Sequence, residues 1–271
     1  MLDSEYRHMY REEEAHWWYA GMRALMGALL STESLPASPR ILDAGCGTGF
    51  NLGWLGTRHG DGVTGIDSSA SGLGFCRDRG ARDLVRADVS MLPFRPGAFD
   101  LITAFDLLSE LRDDRERVLT LDEFFRSLKP GGRLLVRVPA YEWLRSSHDA
   151  GVSTRRRFGR GELIAAVSRA GFQTVRATYA NTILFPLAAV WRLGKKAGLA
   201  PSGSDVRPAT RGTSLGNRLL LRILQAEAAI LRGRGFRFPF GLSILLLAAR
   251  PAAGHAPNIS AASPASRIAK T

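Results

Sequence analysis

Apolar positions recur along the chain in two rhythms, and the rhythms change places at regular intervals. Between Ser4 and Ser31 the apolar residues Tyr6, Met9, Tyr10, Trp17, Trp18 and then Met22 to Leu30 fall at helical spacing. Ser4 stands where an N-cap would, so the pattern predicts one long helix over 4–31. A turn-rich break follows to Pro39. Short apolar runs then alternate with helical patterns: Arg40–Asp43, Gly62–Asp67, Leu84–Ala87, Phe99–Ala104 and Arg133–Val138 read as strands, and Phe50–His59, Ser69–Gly80 and Arg115–Leu128 as helices. Runs such as LITAF and LLVRV have no polar face, which suits strands covered on both sides. Strands alternating with crossover helices predict a mainly parallel α/β sheet.

Beyond residue 150 the rhythm changes. A helix is expected over Arg160–Ala170, closed by Gly171, and a sixth strand over Gln173–Tyr179. An apolar helix over Asn181–Ala197 and a second, basic one over Leu215–Arg232 flank a loop rich in Pro, Gly and Ser. Leu242–Ala249 returns as a strand, and 251–271, rich in Ala, Ser and Pro, lacks periodicity and is expected to be disordered. The parts are an N-terminal lid helix (1–35), a core (36–180), a basic helical insertion (181–238), the last core strand (239–250) and the tail (251–271). The insertion reads either as interfacial helices or as helices packed on the sheet with a basic outer face, the second being favoured.

With 271 residues, 45% of them apolar, the chain can bury a sizeable core. Two cysteines are too few for a disulfide scaffold or a four-cysteine zinc site, and no metal is expected. No run reaches the roughly 18 apolar residues of a membrane span, and the charged start is unlike a secretory signal. These features favour a cytoplasmic protein. The net charge of +12 is unevenly placed: residues 151–271 carry 19 Lys and Arg against 3 acids. Such a surplus favours an anionic partner, whether phosphate, nucleic acid or a lipid surface, or else a solvated basic face.

The chemistry concentrates at the strand ends. ILDAGCGTG places Asp43 at the end of an apolar strand and glycines at 45, 47 and 49. Glycines there permit positive φ and close approach of a ligand to the backbone. The spacing is not the G-x-G-x-x-G of a dinucleotide reader. Asp67 closes the second strand, Asp88 follows the third and Asp106 the fourth. In an open α/β sheet all four lie where ligands bind, and a carboxylate there can accept both hydroxyls of a ribose diol.

In order and spacing, ILDAGCGTG, GIDSS, RADVSMLPFRPGAFDLI and LKPGGRLLVRVP resemble the successive motifs of class I S-adenosylmethionine-dependent methyltransferases of the type 11 group, over about residues 38–140. The flanks EEAHWWYAGMR, VPAYEWLRSSHD, RRRF and FPFGLS resemble a bacterial subgroup acting on small-molecule or lipid-pathway acceptors. The resemblance implies a Rossmann-like, mostly parallel seven-stranded sheet with helices on both faces and a closing antiparallel pair, here interrupted by the insertion. It implies S-adenosylmethionine as cofactor, with Gly45, Gly47 and Gly49 under its methionine part and Asp43 toward its amino group. Asp67 would take the ribose hydroxyls and Ser68 flank the adenine. Asp88 would accept from the adenine amine, the Val89 N–H meet the ring, and Phe105 and Asp106 border the methyl.

Relatives often carry Glu-His after the fourth strand. Here Ser109-Glu110 stands instead, so a base must come from elsewhere. Glu110 and His148, beside Asp149, are the candidates, with His16 a further possibility. Trp17, Trp18, Tyr19, Arg23 and Tyr141 are candidate acceptor walls, and Arg155, Arg156 and Arg157 a candidate anion clamp. The expected function is methyl transfer to a small-molecule or lipid-linked acceptor, with peripheral contact to an anionic membrane as an option. An RNA acceptor, without the Asn/Asp-Pro-Pro-aromatic tetrad of amino-methylating nucleic-acid enzymes, and a non-catalytic cofactor binder at a membrane are the alternatives.

Overall fold

Seven strands build one sheet in the computed structural model, which describes residues 3–146, 149, 153–196 and 215–252. They are β1 (Ile41–Ala44), β2 (Val63–Asp67), β3 (Leu84–Arg86), β4 (Phe99–Phe105), β5 (Leu128–Pro139), β6 (Gln173–Ala180) and β7 (Ser243–Ala249). Their order is β3-β2-β1-β4-β5-β7-β6. All pairs are parallel except those of β7, which runs antiparallel to both β5 and β6. The order reverses at β1 and β4, where Ile41 stands beside both Val63 and Leu101. Every residue of β1 and β4 is buried, which explains their unbroken apolar runs.

The helices are α1 (Asp3–Glu12), α2 (Trp17–Leu30), α3 (Phe50–His59), α4 (Ala70–Asp78), α5 (Leu107–Glu110), α6 (Asp114–Ser127), α7 (Arg160–Arg169), α8 (Phe185–Lys196) and α9 (Leu215–Leu231). The strand and helix positions follow the sequence reading, and the seven-stranded α/β architecture is the expected one.

Two features differ from that reading. The single helix over 4–31 is two, broken at 13–16. His16 caps α2, its Nδ1 accepting from Trp18 N at 3.2 Å. The break is held from a distance: Asn217 of α9 accepts from Trp17 N at 3.0 Å and donates to Ala15 O at 3.1 Å. Glu13, 5% exposed, turns inward to accept from the Thr48 hydroxyl and to pair with Arg79. Helical periodicity runs through 13–16, so no local signal marks partners this remote.

Among the described residues, the insertion meets the sheet at its edge strand, where Arg176 of β6 donates to Leu231 O, and its helices pack chiefly elsewhere. Its second helix, α9, packs on α2 through Leu224, Ala228 and Leu231, all buried. The two backbones come so close that a Cβ on Gly21 would sit 2.2 Å from Leu224 Cδ1. Buried Glu227 accepts from Ile183 N at 2.7 Å and ties α9 to the segment entering α8. That helix leans on a 3-10 turn, Glu142–Leu144, with Arg192 Nη1 donating to Leu144 O at 3.1 Å. The expected tail falls almost wholly outside the described residues.

Candidate active site

β1 hands the chain to a bend whose three glycines all have left-handed backbone: φ is 70° at Gly45, 57° at Gly47 and 83° at Gly49. L-residues with side chains adopt that region at a cost, so glycine is required here. Added Cβ atoms would also collide: at Gly45 with Leu107, at Gly47 with Met9 Cε at 3.0 Å, and at Gly49 with Cys76. Gly45 N and Cys46 N both donate to Ile66 O, which fixes the bend to β2.

Asp67 then ties the bend from the next strand. Its Oδ2 accepts from Gly47 N at 3.0 Å, and its Oδ1 accepts from Ser69 N at 2.9 Å and the Tyr6 hydroxyl at 3.4 Å. Burial pushes its pKa up while these donors pull it down. Asp43 lies beneath the bend, buried, and does not line the cavity. Thr103 Oγ1 donates to its Oδ1 at 2.6 Å, but Oδ2 has no partner. Burial raises this carboxyl to about 7. Asp88 is exposed at the far end. There it accepts from Ser90 N and Oγ, which hold it below the ordinary carboxylate range. Ser68 and Val89 line the cavity beside it, whereas Gly49 turns the chain into α3 outside it.

One cavity of about 1080 Å³ runs from this bend to the insertion. Tyr6, Met9, Glu13, Trp17, Trp18 and Tyr19 close it from the N-terminal side, and Leu184 with Leu187 and Trp191 of α8 from the other. Inside it, Arg137 of β5 pairs with Asp106 at 2.5 Å and sits over the rings of Trp18 and Phe105, 4.9 and 5.5 Å from their centroids. Asp106 has φ 60° at the start of α5, a conformation that aims it at Arg137. Arg23 lies 4.1 Å over the Phe50 ring and donates to Glu13 O at 3.2 Å. Among the described residues no carboxylate lies within ion-pair distance of it. Burial, with Arg137 and Arg79 near, lowers its pKa to about 10.

Glu110 lines the same cavity, half-buried at the end of α5. Burial, and then the Asp106 carboxylate, raise its pKa to about 8. Arg155 lines the cavity from an exposed position. Its neighbours are engaged otherwise: Arg156 pairs with Asp114 and Glu162 outside the cavity, and Arg157 reaches its edge in a buried ion pair with Asp149 at 2.7 Å. The three arginines therefore do not form one clamp. Tyr141 has φ 59° and stacks on Tyr179, centroids 5.2 Å apart, in a cluster with Trp143 and Phe185 beside the cavity rather than in its wall. His16 borders the cavity as a helix cap, burial favouring its neutral form. His148 lies outside the described residues.

Sequence reasoning missed four cavity residues. Tyr6 and Met9 lie at helical spacing, indistinguishable from core positions. Arg137 did carry a signal, since a lone cation in the strand run LLVRV needs a buried partner. Asn181, directly after β6, has φ 60° and is 1% exposed, with Oδ1 unpartnered at the cavity wall. The acids at the ends of β1 to β4 were the visible pattern, and this amide follows β6, two strands further along the chain.

Residues 42–136 match the family model described as a methyltransferase domain. The chain carries a class I S-adenosylmethionine-dependent methyltransferase domain. Among curated relatives, the tRNA (carboxymethyluridine(34)-5-O)-methyltransferase of Arabidopsis thaliana is 34% identical over 123 residues, 45% of this chain and 28% of that protein. Trans-aconitate 2-methyltransferase of Paracidovorax citrulli is 36% identical over 114 residues, 41% of this chain and 43% of that protein. The chain thus spans less than half of either relative. Among solved structures, a Haemonchus contortus phosphoethanolamine N-methyltransferase 2, in complex with phosphomonomethylethanolamine and S-adenosylhomocysteine, superposes with a TM-score of 0.58 at 14% identity. That match covers 93% of this chain and 58% of the other chain. At that identity the likeness is one of fold.

The family's cofactor is S-adenosylmethionine, and the residues present fit it. The glycine bend leaves backbone exposed where side chains would intrude, and the Asp67 carboxylate lines the cavity beside it. The cavity is at the upper end of the roughly 300–1,000 Å³ of small-molecule sites, large enough for cofactor and acceptor together.

Proposed function

We propose that the protein transfers the methyl group of S-adenosylmethionine to a small-molecule or lipid-pathway acceptor by in-line displacement. One observation carries this reading: the acid-and-glycine bend and the space walled by Arg23, Glu110, Arg155, Asn181 and Trp191 are a single cavity. Gly45 and Gly47 pass under the methionine part of the cofactor, and Asp43 steadies the bend near its amino group. Asp67 takes the ribose hydroxyls with Tyr6 beside it. Ser68, Asp88 and Val89 hold the adenine, and Phe105 and Asp106 border the methyl.

When bound, the cofactor supplies an electrophilic methyl and a neutral leaving group. The chain's own residues therefore position the acceptor, exclude water and accept a proton. Trp18 and Tyr19 with α8 keep water out. Glu110, protonated at neutral pH in the free protein and brought toward ionisation by a nearby positive charge, takes the acceptor's proton. Arg155 and Arg23 favour an acceptor carrying negative charge.

An RNA acceptor is the second reading, favoured by the basic second part of the chain and by the tRNA-directed relative. Incubation of the full chain with methyl-labelled S-adenosylmethionine and fractionated cell extract separates the two. Label in the small-molecule or lipid fraction supports the first reading. Label in RNA alone overturns it, and binding without transfer to any fraction marks a non-catalytic cofactor binder.

A further inference from the structure

We propose that the outer face of α8, with the start of α9, docks the protein on an anionic lipid bilayer. The cavity mouth then opens at that surface, and the acceptor is an amphiphile drawn from it. The docking claim stands on the surface alone; its consequence for the acceptor rests on the active-site reading above.

The surface is unusual in composition and placement. Ile183, Leu187, Val190, Trp191 and Leu193 are 53, 73, 70, 46 and 49% exposed. At about 100° per residue, Leu187, Val190, Trp191 and Leu193 fall within an arc of roughly 160° on α8, a continuous apolar face, and Ile183 lies in the turn just before it. Leu187 and Trp191 lie on the edge of that arc and also line the cavity, while Leu184 and Ala188 lie further inward. Apolar surface therefore continues from the outside of α8 into the cavity. On α9, Leu220 lines the same cavity, and its neighbours Leu215 and Leu219 are 84 and 61% exposed. Arg218 and Arg222 are exposed among them.

Charge selects the partner. From Ile183 to Arg222 the sequence holds seven Lys or Arg and one acid, Asp205. An apolar face with a tryptophan at its edge and the exposed Arg218 and Arg222 beside it, in a segment of sequence this basic, matches the boundary between acyl chains and anionic headgroups. A second copy of the chain is disfavoured, because a two-fold contact sets these cations against one another. RNA would use cations and stacking rings, and gains nothing from exposed leucine and valine. Among the described residues no helix is long and apolar enough to cross a membrane, so contact would be peripheral.

The test is cosedimentation of the full chain with phosphatidylcholine vesicles, with and without phosphatidylglycerol, beside a filter-binding measurement on total tRNA. The Val190→Glu/Leu193→Glu double variant is run in parallel, both positions being exposed and outside the cavity wall. The expected result is binding at least about tenfold tighter to the anionic vesicles, lost in the variant while its melting temperature and S-adenosylhomocysteine affinity stay unchanged. Absence of vesicle binding, equal binding by the variant, or binding to tRNA without binding to vesicles overturns the docking. Vesicle binding by a chain that binds no S-adenosylhomocysteine overturns the active-site reading, and with it the acceptor, but leaves the docking in place.

Discussion

The two halves of the cavity are built by different means. The cofactor half lies on the ends of adjacent central strands, where β1, β2 and β4 are fixed by parallel ladders. Asp67 spends one oxygen on a backbone N–H of the bend, Gly47, and the other on Ser69 N just after β2. The acceptor half is assembled from the break between α1 and α2, the segment after β5, and the insertion. Asn217 reaches across 200 positions to hold Trp17 there. The first half is a rigid receptor for one invariant molecule. The second is a set of separable walls, which is how one fold accommodates different acceptors.

The comparison breaks most sharply at Glu110, where the two halves meet. Glu110→Gln is expected to lower kcat by about 100-fold with no change in cofactor affinity. A carboxyl with a pKa raised to about 8 becomes a base only above that pH. With the cofactor's positive charge drawing that pKa down, the rate for an acceptor that must lose a proton climbs with pH to a plateau with its midpoint below about 8, and the glutamine variant loses the climb. A pH profile of single-turnover rates checks both.

Asp67→Ala strikes the cofactor half alone. It removes a carboxylate that bridges ligand and bend, so cofactor affinity should fall by about 50-fold, read by calorimetry, and the melting temperature should fall with it. Gly21→Val strikes the acceptor half through its scaffold. The new side chain meets Leu224 and should cost about 2 kcal/mol, read by denaturant unfolding, with Leu224→Ala restoring part of the loss. Cofactor affinity should hold. The smallest effect is expected at Arg155→Gln, about threefold in acceptor KM for an exposed cation, with kcat and cofactor affinity unaltered. Equal losses of cofactor affinity from all four variants would erase the distinction between the halves.

Legibility follows the same line. Asp43, Gly45, Gly47, Asp67 and Asp88 could be placed because short unbroken apolar runs locate strand ends, and strand ends of an open parallel sheet face one edge. The positions of β1 to β7 followed from the same runs. What stayed hidden depends on contacts remote in sequence. Periodicity carried a helix through 13–16 because the partners of the break, Thr48, Arg79 and Asn217, lie elsewhere in the chain. Three adjacent arginines read as one clamp, but in three dimensions only Arg155 keeps its side chain clear of an ion pair among the described residues. The two insertion helices looked alike in composition. Gly21 made the difference, by admitting α9 against α2 and leaving α8 at the rim.

Calorimetric titration of the full chain with S-adenosylhomocysteine, beside Asp67→Ala, addresses the central claim most directly. The predicted result is one molecule bound per chain at micromolar concentrations, weakened sharply in the variant. No heat from the unaltered chain, or equal affinity in both, would contradict it.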